Sequence, residues 1–148
     1  SLVAPNEVVA PNEAMTLEDE GMVINIKTIQ NEMKYDLSQF EVTAGSTVTL
    51  VFENNDFMLH NILILQQGSL EKVGAAADQM AQDPNGEARN YIPRMPEVLY
   101  STTMVNPGEK VRLRFTVPSE PGEYPYVCTF PGHWKIMRGV MKVVAKPL

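Results

Sequence analysis

Residues 128–137 read CTFPGHWKIM and place a thiol, an imidazole and a thioether within ten positions. All three groups are soft or borderline metal ligands. The Pro-Gly pair between Cys128 and His133 predicts a tight turn, so a loop that leaves one strand can fold back and direct several donors at one point. The C-x4-H-x3-M spacing therefore predicts a metal-binding loop, with Met137 as its last donor.

A loop with three donors needs one more strong ligand from elsewhere in the fold, and the only other histidine of the chain is His60. His60 opens the apolar segment HNILIL, and a strand end beside the C-terminal loop can present its ring to the same point. Two imidazoles, one thiolate and a weakly bound thioether form the ligand set of electron-transfer copper sites. The residues thus predict one copper ion held by His60, Cys128, His133 and Met137. Copper uptake should release a proton, because the thiol must ionise to bind.

The sequence from residue 21 onward predicts an all-β sandwich with one helical insertion. Residues 69–82 are expected to form the helix, since apolar side chains recur at i, i+3, i+7 and i+10 from Leu70, and the DPNG segment at 83–86 ends it. Short segments rich in Val, Ile, Thr, Tyr and Phe, separated by turn signals, predict strands over 22–28, 40–43, 47–53, 60–65, 98–105, 110–117, 123–128 and 139–145.

Residues 1–20 are expected to lie outside the globular domain, which we place at 21–148. They contain VAPNE twice, at 3–7 and 9–13, and Pro-rich polar sequence of this kind favours a linker, with an arm on the domain surface as the alternative. The sequence begins with Ser, and no basic segment followed by an apolar core opens it, so any export signal is expected to have been removed or trimmed. It contains no run of about 18 apolar residues, so a membrane tether or a fusion to a larger redox protein would lie outside it.

Charge and cysteine content narrow the function classes. Twelve basic against eighteen acidic residues give a net charge of −6, and the scattered positive charges argue against a nucleic-acid partner. A negative surface favours redox partners with a basic docking face. The single cysteine, Cys128, excludes an internal disulfide and a structural zinc site built on cysteine pairs.

The same counts argue against an enzyme. Multicopper oxidases and copper nitrite reductases need further histidines for further copper ions, and none remains after His60 and His133. A dinuclear copper site would need a second cysteine, and a cysteine hydrolase would need a third group that orients the histidine. A copper carrier or storage protein with the same four ligands is the alternative to an electron-transfer protein.

Residues 128–137 and the Leu59-His60-Asn61 segment resemble the ligand loops of the azurin and auracyanin branch of the cupredoxins, which are blue type 1 copper proteins. The similarity covers about residues 22–145. It implies a Greek-key β-sandwich, electron transfer between redox protein donors and acceptors, and an extracytoplasmic location, in a bacterial periplasm or at the cell surface. It also implies that His60, Cys128 and His133 bind copper equatorially and that Met137 is axial.

The resemblance further implies a set of residues around the ligands. Asn61 and Thr129 would tie the two ligand loops together, and the backbone amides of Asn61 and Phe130 would point at the Cys128 sulfur, where such hydrogen bonds tune the reduction potential. Two departures stand out. Leu59 occupies the position where azurins usually have Gly, and the disulfide that many azurins carry is absent.

An apolar rim over His133 is a further hypothesis. Phe57, Met58, Met95 and Trp134 are its candidates, and ordinary core packing is the alternative for each of them. A partner protein would dock on such a rim and exchange electrons through His133.

Overall fold

The computed structural model describes residues 7–9 and 21–148. The described residues form ten strands and one α-helix. In chain order these are β1 (Glu7–Val9), β2 (Met22–Ile29), β3 (Lys34–Tyr35), β4 (Gln39–Thr43), β5 (Thr47–Glu53), β6 (Leu63–Leu65), α1 (Leu70–Met80), β7 (Val98–Ser101), β8 (Lys110–Thr116), β9 (Gly122–Val127) and β10 (Arg138–Val144).

The strands make two five-stranded sheets, with the orders β1-β8-β5-β2-β3 and β4-β10-β9-β6-β7. The pairs β2–β5 and β4–β10 are parallel and the other pairs are antiparallel. Burial alternates along β10 and β4, as expected for strands with one face on the core. The expected all-β sandwich with one helix is confirmed, and the core between the sheets includes Ile26, Leu50, Phe52, Tyr126 and Met141.

Two expected strands are shorter than the sequence pattern indicates. The segments 60–65 and 98–105 pair regularly only in β6 and β7, and His60 keeps an isolated bridge to Val105. Between them the Thr102 hydroxyl accepts the Ile62 N–H at 3.0 Å. A side chain replaces a backbone partner there, so the ladder opens just before the predicted metal-binding position.

Helix α1 packs its buried face on a second apolar cluster rather than on the main core. Val73, Gly74 and Ala77 are buried in it, and the cluster also contains Trp134 from the predicted metal-binding loop. The helix therefore supports that loop from outside the sandwich. No helix among the described residues is long and apolar enough to cross a membrane.

Only residues 7–9 of the predicted N-terminal segment are described. They form β1 and pair with β8 at the edge of one sheet. The other residues of 1–20 lie outside the described residues, and the domain boundary at residue 20 stays a prediction.

Candidate metal centre

Three of the four predicted ligands meet at one end of the sandwich. One donor atom each from His60, Cys128 and His133 lies within 4.8 Å of the other two. All three side chains are buried, as is Met137. Positions far apart in sequence are thus brought together, since His60 and Cys128 are 68 positions apart.

The distances fit a metal better than a hydrogen-bonded cluster. The Cys128 sulfur lies 3.8 Å from Nδ1 of His60 and 3.6 Å from Nδ1 of His133. Metal–sulfur and metal–nitrogen bonds of about 2.3 and 2.0 Å, at the angles of a trigonal site, would separate sulfur from nitrogen by about 3.7 Å. A thiol has one proton and can donate to only one ring. The donor set therefore suits a soft cation such as copper.

The C-terminal loop (residues 128–137) is closed by its own backbone. The Cys128 N–H donates to the Met137 carbonyl at 3.0 Å, and the Met137 N–H donates to the His133 carbonyl at 2.8 Å. Gly132 has a φ of 86°, a left-handed conformation that favours glycine. The turn predicted from the Pro-Gly pair is present, and it holds three predicted ligands on one short loop.

The His60 loop (residues 54–61) connects β5 to β6 and is held by Asn54. The Asn54 side chain is fully buried. Its amide donates to the carbonyls of Met58 and Val105, both at 2.8 Å, and its oxygen accepts the Asp56 N–H at 2.9 Å. His60 itself exchanges two backbone hydrogen bonds with Val105. The backbone around His60 is therefore fixed on both sides.

A buried carboxylate contacts the outer nitrogen of His60. Asp56 Oδ2 lies 2.8 Å from Nε2 of His60, and Asp56 is only 5% exposed. Burial alone raises the pKa of this carboxyl, but hydrogen bonds from His60 and from the amides of Asn31 and Phe57 outweigh it, so the pKa lies below its ordinary value. Sequence reasoning missed Asp56, because Asn-Asn-Asp after a strand indicates only a turn.

Asn61 and Thr129 join the two loops, as the resemblance implies. The Asn61 amide donates to Thr129 Oγ1 at 2.9 Å, and the Thr129 N–H donates to Asn61 Oδ1 at 2.9 Å. The pair also reaches a third segment, since Asn61 donates to the Asn90 carbonyl and Thr129 to the Tyr91 carbonyl. Asn90 and Tyr91 both adopt positive φ. Nothing in the sequence pattern of this irregular segment pointed to that anchor.

Burial sets the protonation of the sulfur and of the second imidazole. Desolvation raises the pKa of the Cys128 thiol from 9.0 to about 12, against hydrogen bonds from the amides of Asn61 and Phe130. Burial, with the nearby His60 ring, lowers the pKa of His133 from 6.5 to about 4. At neutral pH and without a metal ion, His133 is neutral and Cys128 is a thiol.

His133 differs from His60 in what surrounds its outer nitrogen. Its Nε2 atom is buried and has no hydrogen-bond partner among the described residues.

The two ligand loops also carry exposed apolar side chains. Phe57 and Met58, near the middle of the His60 loop, are 70% and 41% exposed, and Ile136 in the C-terminal loop is 50% exposed. These three exposed apolar residues lie on the two loops that carry the predicted ligands, and we call them the apolar rim.

One of the four residues expected in such a rim, Trp134, is buried elsewhere. Trp134 is 6% exposed and packs in the second apolar cluster, where its Nε1–H donates to Asp78 on α1 at 3.0 Å. Met95 packs against the same cluster. The hypothesis that Trp134 lines a docking surface is therefore wrong, because its side chain anchors the C-terminal loop to the helix. Met95 is half-buried, and its place in the rim stays a prediction.

Comparisons with known proteins agree with this geometry. A family model described as copper binding proteins of the plastocyanin/azurin family matches residues 22–144. Auracyanin-A of Chloroflexus aurantiacus is 32% identical over 82% of this chain and 74% of its own. Auracyanin-B of the same organism is 30% identical over 85% of this chain, which spans only 54% of that protein. Among solved structures, reduced auracyanin of Roseiflexus castenholzii gives a TM-score of 0.73 at 31% identity, over 84% of this chain and 98% of the other.

Proposed function

This chain belongs to the plastocyanin/azurin family of copper-binding proteins, and we propose that it carries single electrons between redox proteins. The proposal rests on one observation, the convergence of two imidazoles and a thiol within 4.8 Å in a buried site. His60 and His133 through Nδ1, the Cys128 thiolate and Met137 would hold the copper. When bound, copper supplies a one-electron couple between Cu(II) and Cu(I).

The surrounding residues suit that task because they keep the donors in place. The backbone hydrogen bonds of the C-terminal loop and the Asn61–Thr129 pair hold the sulfur and both imidazoles in one arrangement. A site that changes little between oxidation states has a low barrier to electron exchange. The four side chains are also shielded from solvent, which excludes water as a ligand.

The apolar rim is the proposed docking surface for the redox partner. Phe57, Met58 and Ile136 are exposed apolar side chains on the two loops that carry the predicted ligands. Exposed apolar residues next to a buried site favour a protein partner over a small substrate. The net charge of −6 favours a partner with a basic surface around its own apolar patch.

Titration of the metal-free protein with Cu(II) tests the copper site. We expect one equivalent to produce an intense visible band from the thiolate–copper bond and a matching electron paramagnetic spectrum. The Cys128→Ser variant, which keeps the other donors, should lack the band altogether. A wild-type protein that binds Cu(II) without this band would disprove the proposed site.

A copper carrier or storage protein with the same ligands is separated by two further measurements. An electron carrier should exchange electrons quickly between its oxidised and reduced forms and should retain copper against chelators. Slow exchange together with ready loss of copper would favour the carrier. Burial of all four side chains supports the electron-transfer function, since copper transfer between proteins needs accessible ligands.

We also propose that the domain works outside the cytoplasm, on a membrane tether or as part of a larger redox protein. The family resemblance and the repeated VAPNE segment, which is typical of a linker, support this. An antibody against the domain would find it in the membrane fraction of the source cells if it is tethered. Recovery in the cytoplasmic fraction would contradict the proposed location.

A further inference from the structure

The two imidazoles of the site differ in their outer contacts. Nε2 of His60 lies 2.8 Å from a carboxylate oxygen of Asp56, whereas Nε2 of His133 is buried without a partner among the described residues. Both rings turn Nδ1 toward the Cys128 sulfur. One candidate ligand is therefore backed by a negative charge and the other is not.

Asp56 is itself held in place on both sides. Its Oδ1 accepts the N–H of Asn31 at 3.1 Å, and its own N–H donates to Asn54 at 2.9 Å. Asn31 lies in the turn between β2 and β3 and has a φ of 67°. A turn on a neighbouring hairpin thus fixes the carboxylate against His60, so the contact is built into the fold and does not depend on a mobile surface side chain.

We propose that Asp56 is a positioning residue that fixes His60 with Nδ1 toward copper and favours Cu(II) over Cu(I). The inference rests on the copper site proposed above. A hydrogen bond from Nε2–H to the carboxylate selects the tautomer whose Nδ1 lone pair is free for the metal. The carboxylate charge also stabilises the doubly charged ion more than the singly charged one, and it does so strongly in a buried site.

The Asp56→Asn variant tests the charge while keeping an oxygen acceptor of similar shape. We expect the redox equilibrium with a fixed partner to shift about tenfold toward Cu(I), which for one electron is an increase of about 59 mV in reduction potential. The ratio of the Cu(II) to the Cu(I) dissociation constant should rise by the same factor, mainly through weaker Cu(II) binding. Voltammetry and competition with chelators measure these quantities.

Asp83→Asn is the matched control. Asp83 caps the turn after α1 by accepting the Asn85 N–H at 2.8 Å and contacts Arg89. The Asp83→Asn variant loses the same charge as Asp56→Asn. Its redox equilibrium should shift less than twofold from that of the wild-type protein. Equal potentials in Asp56→Asn and Asp83→Asn would overturn the role of Asp56. If wild-type protein gives no thiolate–copper band, the proposed function itself fails first.

A measurement on the wild-type protein covers the case in which Asp56→Asn does not fold. In Cu(I)-loaded protein, nitrogen-resolved NMR should show the Nε2 proton of His60 well downfield of that of His133 and slower to exchange with solvent. His133 is the internal control, because its Nε2 has no protein acceptor among the described residues. Indistinguishable shifts and exchange rates for the two protons would overturn the proposal.

Discussion

The His60 loop and the C-terminal loop bring ligands to the same point by different means. The C-terminal loop is short and closes on itself, with its backbone bonds running between Cys128, His133 and Met137. The His60 loop is instead held by a distant segment, because its residues Asn54 and His60 both hydrogen-bond to Val105. Local sequence builds one half of the site, and contacts between distant segments build the other. Changes in each half should therefore fail in distinguishable ways.

Asn61→Ala, which cuts the link between the halves, should have the largest effect. It removes three hydrogen bonds and leaves the buried N–H of Thr129 without its acceptor. We expect a loss of about 3 kcal/mol in the free energy of unfolding, on the scale of about 1–3 kcal/mol per unsatisfied buried group. The thiolate–copper band should also shift. Denaturant unfolding and the visible spectrum measure the two effects.

Thr102→Val is the control for that variant. The Thr102 hydroxyl accepts the N–H of Ile62, one residue beyond Asn61, but does not join the two loops. Its removal should cost about 1 kcal/mol and leave the copper band in place. A normal band in Asn61→Ala would mean that the two loops keep their relative position without this link.

Gly74→Ala should disturb the C-terminal loop alone. A Cβ atom at Gly74 would collide with the Trp134 ring, next to His133 in the chain. Overpacking costs about 1–3 kcal/mol, which exceeds the gain of about 1 kcal/mol from replacing glycine in a helix. We expect a net loss of about 1 kcal/mol together with a changed copper spectrum. Thermal unfolding and the spectrum of the Cu(II) form provide the measurements.

Ala75→Gly separates helix propensity from packing. Ala75 is exposed on the same helix, so the change should cost about 1 kcal/mol and leave the spectrum intact. Gly74→Ala and Ala75→Gly should thus lose a similar amount of stability, but only Gly74→Ala should change the copper spectrum. If Gly74→Ala leaves the spectrum unchanged, Trp134 does not transmit strain from the helix to the C-terminal loop.

The contrast between a loop held by local contacts and a loop held by distant ones also explains what could be predicted from the sequence. The ligand loop, most strands and the helix follow from local patterns, such as the spacing after Cys128 and the apolar face of residues 69–82. Asp56 and the Asn90 anchor act across 4 and 29 residues of sequence through contacts that only the folded chain creates. Trp134 was misplaced for the same reason, because an aromatic residue beside a ligand can face a partner or a helix, and α1 decides which.

The Cys128 sulfur accepts one backbone hydrogen bond from each ligand loop, from the amides of Asn61 and Phe130. The pKa of the thiol therefore depends on both loops. With the pKa of Cys128 raised to about 12, the metal-free thiol is protonated at pH 7 and must lose its proton when copper binds. Because the pKa lies above the working pH, copper affinity should rise with pH, about tenfold per unit. His133, with a pKa near 4, is already neutral and adds nothing to this slope.

Calorimetry in buffers of different ionisation enthalpy should count one released proton at pH 7. The tenfold slope should continue past pH 9, where a thiol of ordinary pKa is already ionised. A slope that flattens at pH 9 would indicate that the two amides, together, offset the cost of burying the thiolate.

The smallest expected effect concerns the apolar rim, the surface where the two halves meet solvent. Met58→Lys should slow electron exchange between two copies of the protein several-fold, because docking rim to rim would place two positive charges together. The absorption spectrum should not change, since Met58 is 41% exposed and is not a predicted ligand. Stopped-flow mixing with a partner, or NMR line broadening for self-exchange, measures the rate.

Met22→Lys is the matched control for the rim. Met22 is also an exposed methionine, at 50% against 41% for Met58. It pairs with Val48 near the start of β5, whereas the His60 loop leaves the other end of that strand. The six steps of extended strand from Val48 to the start of the His60 loop span about 20 Å. The two variants carry the same added charge, so a rate that falls equally in both would reflect net charge and would remove the rim as the docking surface.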